Sequence, residues 1–147
     1  MTVRPGFCVD LHLLLRADQR LLLGERLNTG FMDGAYHFPS GHLEQGESAT
    51  AGMVREAAEE IGVTVDPTDL DLVHVMHHYT DSGRTAFFFQ ATRWVGKVTN
   101  REPDKCAGWS WFSPEALPKR MVPYATEALR WIADGVLYAE RGWERAR

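Results

Sequence analysis

The feature that most constrains this fold is a loop followed by a helix-forming stretch, residues 41–63, with an unusual density of carboxylates. Ser48 stands where a helix N-cap is expected, and residues 49–61 are rich in the helix formers Ala, Glu and Met. Gly62 follows where a glycine can end a helix. The sequence therefore predicts a helix over residues 49–61, entered from a glycine-containing loop over residues 40–47.

The carboxylates of this helix are spaced to meet one another. Glu56, Glu59 and Glu60 lie three and four residues apart, so on a helix they gather along one side, where like charges repel. A bound cation would relieve the repulsion, and oxygen ligands favour Mg²⁺ or Mn²⁺ over zinc. Arg55, the one basic residue of the helix, is placed to form a bidentate pair with Glu47 that fixes the loop against the helix.

The flanking sequence predicts strands. Apolar residues alternate over residues 7–15, which indicates a long strand, and residues 21–25 follow as its hairpin partner. Two β-rich runs, residues 70–80 and 85–95, are joined by a turn containing Gly83 and predict a second hairpin. The remaining predicted elements are short strands at residues 36–38 and 109–112 and a helix over residues 123–133. This order predicts an α+β fold in which a mixed sheet lies between helices.

Size, charge and targeting signals narrow the class of protein. The 147 residues suit a single domain, 1–147, and a net charge of -4 argues against a nucleic-acid polymer as partner. No apolar run approaches the roughly 18 residues of a membrane span. Arg4 and the interruption at Asp10 make a poor signal peptide. With Cys8 and Cys106 expected as free thiols, we expect a cytoplasmic protein without a membrane partner.

Residues 41–63 resemble the Nudix box, a pattern of fixed Gly, Glu and Arg positions around two aliphatic ones. All seven fixed positions are present: Gly41, Glu47, Arg55, Glu56, Glu59, Glu60 and Gly62. Ala57 is smaller than the aliphatic residue usual at its position. A chance match is on the order of 10⁻⁷ per chain from average residue frequencies. The resemblance therefore outweighs the alternative of a merely solvated acidic helix.

The resemblance implies the Nudix fold, an α/β/α sandwich, and hydrolysis of a nucleoside diphosphate linked to another group. It implies that Glu56, Glu59 and Glu60 bind Mg²⁺, and that one of them orients or deprotonates the attacking water. Glu56 is then either a ligand or the base, and Glu47 is either a further ligand or a brace held by Arg55. Gly41 is grouped with the metal site because it lets the backbone approach a ligand, and Gly62 is structural.

A second resemblance, to the MutT-like nucleoside triphosphate pyrophosphohydrolases, rests on residues 38–44 and 100–111. Ser40 departs from the glycine that is common there. The branch implies that Arg26 and His42 lie near the phosphates and that Met121 and Tyr124 are candidates for the base pocket. Arg26 is equally a solvated residue at a strand edge, and Met121 and Tyr124 are equally helix-packing residues. Glu102 or Asp104 is either a further carboxylate of the site or a solvated loop residue.

The expected activity is conversion of a nucleoside triphosphate, modified ones included, to a monophosphate and pyrophosphate. The alternatives are an ADP-ribose or other sugar-nucleotide pyrophosphatase and a Nudix module that binds without hydrolysis. The branch and five tryptophans favour a homodimer, with Trp109 and Trp111 in the core or at the dimer surface. His77 and His78 are adjacent on a strand and point to opposite faces, so we do not expect them to share a zinc ion.

Overall fold

The computed structural model describes residues 6–146, so Arg4 lies outside the described residues. It contains the elements β1 (Cys8–Ala17), β2 (Arg20–Arg26), β3 (Tyr36–His37), β4 (Ser40–His42), α1 (Ala49–Ile61), β5 (Asp71–Tyr79), β6 (Gly83–Ala91), β7 (Cys106–Phe112), α2 (Pro123–Ala133) and β8 (Tyr138–Arg141). Short 3₁₀ turns occupy Pro67–Asp69 and Trp143–Ala146. The two predicted hairpins, both predicted helices and the mixed sheet are therefore confirmed.

The strands form one mixed sheet of order β3-β2-β1-β6-β5-β8, with β4 paired to β1 and β7 to β2. β1 runs parallel to β6 from Cys8 to Leu15, whereas β1 meets β2 only beside their turn, at Arg16 and Ala17. Further along, the antiparallel neighbour of β1 is β4. β1 and β2 therefore diverge, and both Asp10 near the start of β1 and Arg26 at the end of β2 line one cavity.

Each face of the sheet packs against one helix. Leu11, Leu13 and Leu15 of β1 pack with α1, while Leu14 and Phe88 pack with α2 on the other face. This is the α/β/α sandwich that the sequence predicts. Successive side chains of β1 and β6 point to opposite faces of the sheet. Since both faces are covered by a helix, apolar residues are needed at odd and at even positions, and they form two cores.

Helix α1 begins and ends as its sequence predicts. The Ser48 hydroxyl accepts a hydrogen bond from the Ala51 N–H at 3.1 Å, which caps the first turn. Gly62 takes a left-handed φ of 72°, and its N–H donates to the carbonyl of Ala58. These two ends fix the length of the helix and so the place of its carboxylates.

Two strands, β4 and β8, were not predicted. Residues 40–47 were expected as loop throughout, but Ser40–His42 form β4 because their backbone pairs with Asp10, Leu11 and His12. Glycine and serine have low strand propensity, so the pairing partner, not local preference, makes this strand. β8 was not predicted; it pairs in parallel with β5 at the sheet edge.

Within residues 6–146, helices fall short of the length and apolar character that crossing a membrane requires. Cys8 and Cys106 are both free thiols, as expected. Trp109 and Trp111 pack against the core on the α1 side, where the ring of Trp111 stacks on Trp94 with centroids 6.0 Å apart.

Candidate active site

A cavity of about 1020 Å³ opens where β1 and β2 diverge. Two groups of its lining residues differ in chemistry. The carboxylate cluster consists of Glu56, Glu59 and Glu60 from α1 with Glu102 from the loop before β7. The histidine cluster consists of Asp10, His12, His37, His78 and Tyr124, which come from β1, β3, β5 and α2.

Arg55 organises the carboxylate cluster. Its Nε and Nη2 donate to the two carboxylate oxygens of Glu47 at 3.0 and 2.7 Å, and its Nη1 donates to Glu56 at 2.8 Å and Glu59 at 3.1 Å. A further bond from Nη2 reaches the carbonyl of His42 at 3.0 Å. These hydrogen bonds lower the pKa of Glu47 to about 2 and raise that of Arg55 above its usual range. The guanidinium thus joins the loop, β4 and the helix.

Both oxygens of Glu47 bond to Arg55, and one also accepts the Glu44 N–H at 2.8 Å. This arrangement supports the bracing alternative for Glu47, so we do not place it among the proposed metal ligands.

Glu60 lies deeper than its neighbours. Its carboxylate accepts a hydrogen bond from the Ser40 N–H at 3.0 Å. Burial raises the pKa of Glu60 to about 8, and the nearby charges of Glu102 and Glu56 add to the effect. Burial also raises the pKa of Glu56, against the opposing influence of Arg55. A cation would favour the ionised form of Glu60 in particular, because the Ser40 N–H is its one hydrogen-bond partner among the described residues.

Gly41 is required by the close approach of Glu56. A Cβ at position 41 would lie 2.0 Å from the Glu56 carboxyl carbon, so any larger residue would displace that carboxylate. The backbone of β4 is therefore packed directly against the acid group, between the Glu60 contact at Ser40 and the Arg55 contact at His42.

The donor set of the carboxylate cluster fits a hard divalent cation, since it offers only oxygen atoms and includes a buried acid that lacks a basic partner at hydrogen-bond distance among the described residues. A second group, Cys8, Asp10 and His42, has ligand atoms within 4.8 Å of one another. Arg84 already donates to both oxygens of Asp10 at 2.8 Å and to the Cys8 sulfur at 3.1 Å. Its positive charge makes this second group unsuited to a metal ion.

The histidine cluster is held by ring contacts. The centroids of His12 and His37 are 5.0 Å apart, and the Tyr124 ring lies 5.6 Å from His12 and 5.4 Å from His78. His37 Nε2 and the Tyr124 hydroxyl are hydrogen bonded. Burial raises the pKa of Tyr124. Burial of Asp10 acts to raise its pKa, but the adjacent His78 ring and Arg84 guanidinium hold it well below its usual range.

Three of the four residues expected to contact substrate line the cavity: Arg26, His42 and Tyr124. Arg26 donates to the Phe31 carbonyl at 2.7 Å and lies over the Phe31 ring, so the loop after β2 orients its guanidinium. Met121 does not line the cavity; it pairs with Tyr36 and packs against the core on the α2 side. Its place indicates packing, because its side chain belongs to the apolar layer under α2.

The two acidic candidates in the loop before β7 lie in different places. Glu102 lines the cavity, whereas Asp104 does not, and its carbonyl accepts a hydrogen bond from Asn28. Glu102 is thus the carboxylate of this loop that stands with the α1 glutamates.

Sequence reasoning missed most of the histidine cluster. Asp10 and His12 were passed over in the alternation of β1, and His37 was assigned only to a short strand. The available signal was two polar residues, Asp10 and His12, at i and i+2 on the same face as Leu14, among residues 9–15 that are otherwise apolar. His77 and His78 do point to opposite faces: the ring of His77 lies against Trp143, and His78 faces the cavity.

A family model of the NUDIX domain matches residues 8–132. The chain belongs to the Nudix family. An 8-oxo-dGTP diphosphatase of Proteus vulgaris is 33% identical over 100 residues, which cover 68% of this chain and 83% of that protein. An RNA pyrophosphohydrolase of Novosphingobium aromaticivorans is 25% identical over 146 residues, covering 86% and 89%.

The fold agrees with these relatives. The crystal structure of a MutT Nudix hydrolase from Burkholderia pseudomallei superposes with a TM-score of 0.79 at 23% identity, covering 86% of this chain and 98% of that one. The Nudix fold, the MutT-like branch and the enzyme class, a pyrophosphohydrolase, are therefore confirmed. Nudix enzymes generally use a divalent metal.

Proposed function

We propose that this Nudix enzyme hydrolyses a nucleoside triphosphate, modified bases included, to the monophosphate and pyrophosphate, with Mg²⁺ or alternatively Mn²⁺ as cofactor. The observation that carries the proposal is that one cavity holds both the carboxylate cluster and an aromatic, hydrogen-bonding histidine cluster. The first suits a metal-bound polyphosphate, and the second suits a planar base.

Glu56, Glu59 and Glu60 are the residues that would hold the metal. When bound, the ion lowers the pKa of a coordinated water and neutralises charge on the phosphates. Arg55 keeps Glu56 and Glu59 in place through its hydrogen bonds at 2.8 and 3.1 Å. The raised pKa of Glu56 also suits it to accept a proton from the attacking water, so ligand and base remain its two candidate roles.

Two basic side chains stand opposite the acids. Arg26 and Lys105 both line the cavity, and Lys105 is tied to the loop after β2 through its bond to the Asn28 carbonyl at 3.1 Å. They are the candidate contacts for the outer phosphates, since the chain as a whole carries a net charge of -4 and would not attract an anion. His42, exposed beside Asp10 at 2.9 Å, is a third.

The relatives support this class of substrate. One acts, by its name, on 8-oxo-dGTP and another on RNA. A free nucleotide is our choice. A 5′-triphosphorylated RNA is the second candidate substrate. The similarity to an RNA pyrophosphohydrolase, which covers 86% of this chain, supports it.

The test is a turnover screen that separates these substrates. It uses the standard ribo- and deoxyribonucleoside triphosphates, 8-oxo-dGTP, a 5′-triphosphorylated RNA oligonucleotide and ADP-ribose, each with Mg²⁺, with Mn²⁺ and with EDTA. We expect pyrophosphate from one or more free triphosphates and none with EDTA. Release only from RNA or only from ADP-ribose would replace the proposal, and an absence of turnover on every substrate would overturn it.

The expected homodimer and the cytoplasmic location stay predictions. Light scattering of the purified chain measures the first directly.

A further inference from the structure

The loop between β6 and β7 closes over the C-terminal end of α1. The Thr99 N–H donates to the carbonyl of Ile61 at 2.9 Å, and the Arg101 N–H donates to the carbonyl of Glu60 at 3.2 Å. The last carbonyls of a helix have no partner within the helix, so these two bonds satisfy groups that would otherwise be open. The loop is therefore attached to the same helical turn that carries the Glu60 carboxylate.

The chain turns back directly after this attachment. The Glu102 carbonyl accepts hydrogen bonds from the N–H groups of Lys105 at 2.9 Å and Cys106 at 3.0 Å, so residues 102–106 form one compact turn, which we call the Glu102 turn. Glu102 lines the cavity. Besides burial, its charge raises the pKa of both Glu60 and Glu56, so its carboxylate lies near theirs. The position of the turn therefore decides where Glu102 stands in the carboxylate cluster.

The side chain of Asn100 joins the two ends of the Glu102 turn. Its carbonyl oxygen accepts the Glu102 N–H at 3.2 Å, and its Nδ2 donates to the Cys106 carbonyl at 2.8 Å. The first bond is common for asparagine, which often accepts from the N–H two residues on. The second reaches six residues along the chain and needs the amide donor. Aspartate has the same shape without that donor, so it could make only the first bond.

The other side of the Glu102 turn is tied to the loop after β2. The Leu27 N–H donates to the Lys105 carbonyl at 3.0 Å, and Asn28 Nδ2 donates to the Asp104 carbonyl at 3.3 Å. These bonds, like the two within the turn, do not involve Asn100. Removal of the Asn100 side chain should therefore leave the turn folded and change its placement against α1.

We propose that Asn100 is a positioning residue, which holds the Glu102 carboxylate against the three glutamates of α1 by fixing both ends of the Glu102 turn. Asn100 does not line the cavity, so it acts through Glu102 and not on the substrate. The inference rests on the proposed function in one respect, that the carboxylate cluster holds a metal ion. A residue that only stabilised the turn would change the melting temperature and leave metal binding as it is.

The main variant is Asn100→Ala, which removes both bonds, and Asn100→Asp keeps the acceptor for the Glu102 N–H but lacks the donor to Cys106. The matched control is Thr99→Ala, which removes a single contact, from the hydroxyl to the Ile61 carbonyl at 3.5 Å, and keeps the backbone N–H. Glu102→Gln and the double variant that combines it with Asn100→Ala complete a cycle. A positioning residue has no effect once the group that it positions is gone, so the cycle isolates this role.

The first readout is affinity for Mn²⁺ without nucleotide, measured from the electron paramagnetic resonance signal of the free ion. Residues that orient metal ligands typically contribute 10- to 100-fold to affinity, and we expect Asn100→Ala to weaken Mn²⁺ binding by about 10-fold. Glu102→Gln should weaken it at least as much, and the double variant should match Glu102→Gln within about twofold. Asn100→Asp should fall between Asn100→Ala and wild type, and Thr99→Ala should match wild type. Melting temperatures without metal establish that each variant is folded.

The second readout is kcat on the preferred triphosphate. Asn100→Ala should lower it about 10- to 100-fold in the wild-type background and less than about twofold in the Glu102→Gln background. If Asn100→Ala does not fold, Asn100→Asp takes its place in the same cycle.

Equal losses of Mn²⁺ affinity in the two backgrounds would overturn the inference, because Asn100 would then act independently of Glu102. Wild-type Mn²⁺ affinity in Asn100→Ala or in Glu102→Gln would overturn it as well. The Mn²⁺ cycle needs no substrate, so an absence of turnover on every triphosphate would overturn the proposed function and leave this inference standing.

Discussion

The carboxylate cluster and the histidine cluster face one cavity but are built in opposite ways. The three α1 glutamates come from five consecutive positions of one helix, and Arg55 joins two of them to Glu47 and β4. The histidine cluster comes from four separate elements, and two of its rings have no hydrogen-bond partner among the described residues. The carboxylate cluster is braced by one guanidinium, whereas in the histidine cluster the one acid, Asp10, is paired with Arg84 and two rings lack a hydrogen-bond partner.

In the proposed function, the two clusters have different tasks. Chemistry on a diphosphate needs charge held in a fixed place, which a short braced helix provides. Recognition of a base needs a shaped, uncharged wall with free hydrogen-bonding groups. The two meet at β4, where Ser40 touches Glu60 on one side and stands opposite His12 on the other. Variants on each side should therefore change different kinetic parameters.

The largest effect should come from Glu60→Gln. The amide keeps an oxygen for the Ser40 N–H but loses the charge that would hold a metal, so kcat should fall by about 10²- to 10³-fold, the scale of losing one electrostatic group of an active site. The ratio of activities between bases should stay unchanged, because the histidine cluster is intact. Steady-state kinetics with several triphosphates measures both quantities.

Glu115→Gln, in an exposed loop outside the cavity, is the control for this prediction. A near-normal kcat in Glu60→Gln would show that Glu60 does not hold the metal. A changed ratio of activities between bases would show that the two clusters do not act independently.

The two clusters also differed in how far the sequence could predict them. Glu56, Glu59 and Glu60 lie within five positions of one helix, so helical periodicity placed them together. The pairing of Arg55 with Glu47, at the helix entrance, followed from the bidentate fit of a guanidinium to a carboxylate. The fold followed from alternation and turn signals. His12, His37 and His78 meet only because β1, β3 and β5 come together in a sheet, and the register of such pairing depends on contacts far apart in sequence.

Strand β4 could not be predicted from the sequence for the same reason. It exists because its backbone finds β1, and Ser40 and Gly41 give no local strand signal. Gly41 was expected to let the backbone approach a bound ligand, and that stays a prediction. The group that approaches it is the carboxylate of Glu56, which only the tertiary structure could show.

Gly41→Ala tests that approach and should have a smaller effect than Glu60→Gln. The new methyl group would lie 2.0 Å from the Glu56 carboxyl carbon, so the side chain must move. A displacement of about 1 Å at a catalytic group can cost on the order of 10²-fold in rate, and we expect a loss in kcat of about 10- to 100-fold. Base ratios should again be preserved.

Gly108→Ala is the matched control, because a Cβ there meets nothing within 4 Å. It should keep wild-type kinetics. If Gly41→Ala keeps them too, Glu56 has room to relocate without loss, and its present position is not needed for catalysis.

The smallest expected effect concerns stability without metal. The pKa of Glu60 is about 8 in the folded protein, against an ordinary value of 4.5, because of burial first and the charges of Glu102 and Glu56 second. Between these two pH values the folded state holds a proton that the unfolded state has lost. The free energy of unfolding that the protonated Glu60 side chain contributes is therefore fully present below about pH 4.5. It is lost as the pH rises through about 8, where the folded protein must bury a charged carboxylate.

Glu60→Gln removes this titration. In EDTA its melting temperature should match that of wild type near pH 5 and exceed it by about 5 °C at pH 8, since a few kcal/mol corresponds to several degrees in a domain of this size. Added Mg²⁺ should raise the melting temperature of wild type more than that of the variant, because ligand binding stabilises the folded state. Glu59→Gln, whose side chain is 54% exposed, is the control and should follow the wild-type pH curve in EDTA. Parallel curves for wild type and Glu60→Gln would mean that the buried Glu60 carboxyl group carries no charge penalty in the folded protein.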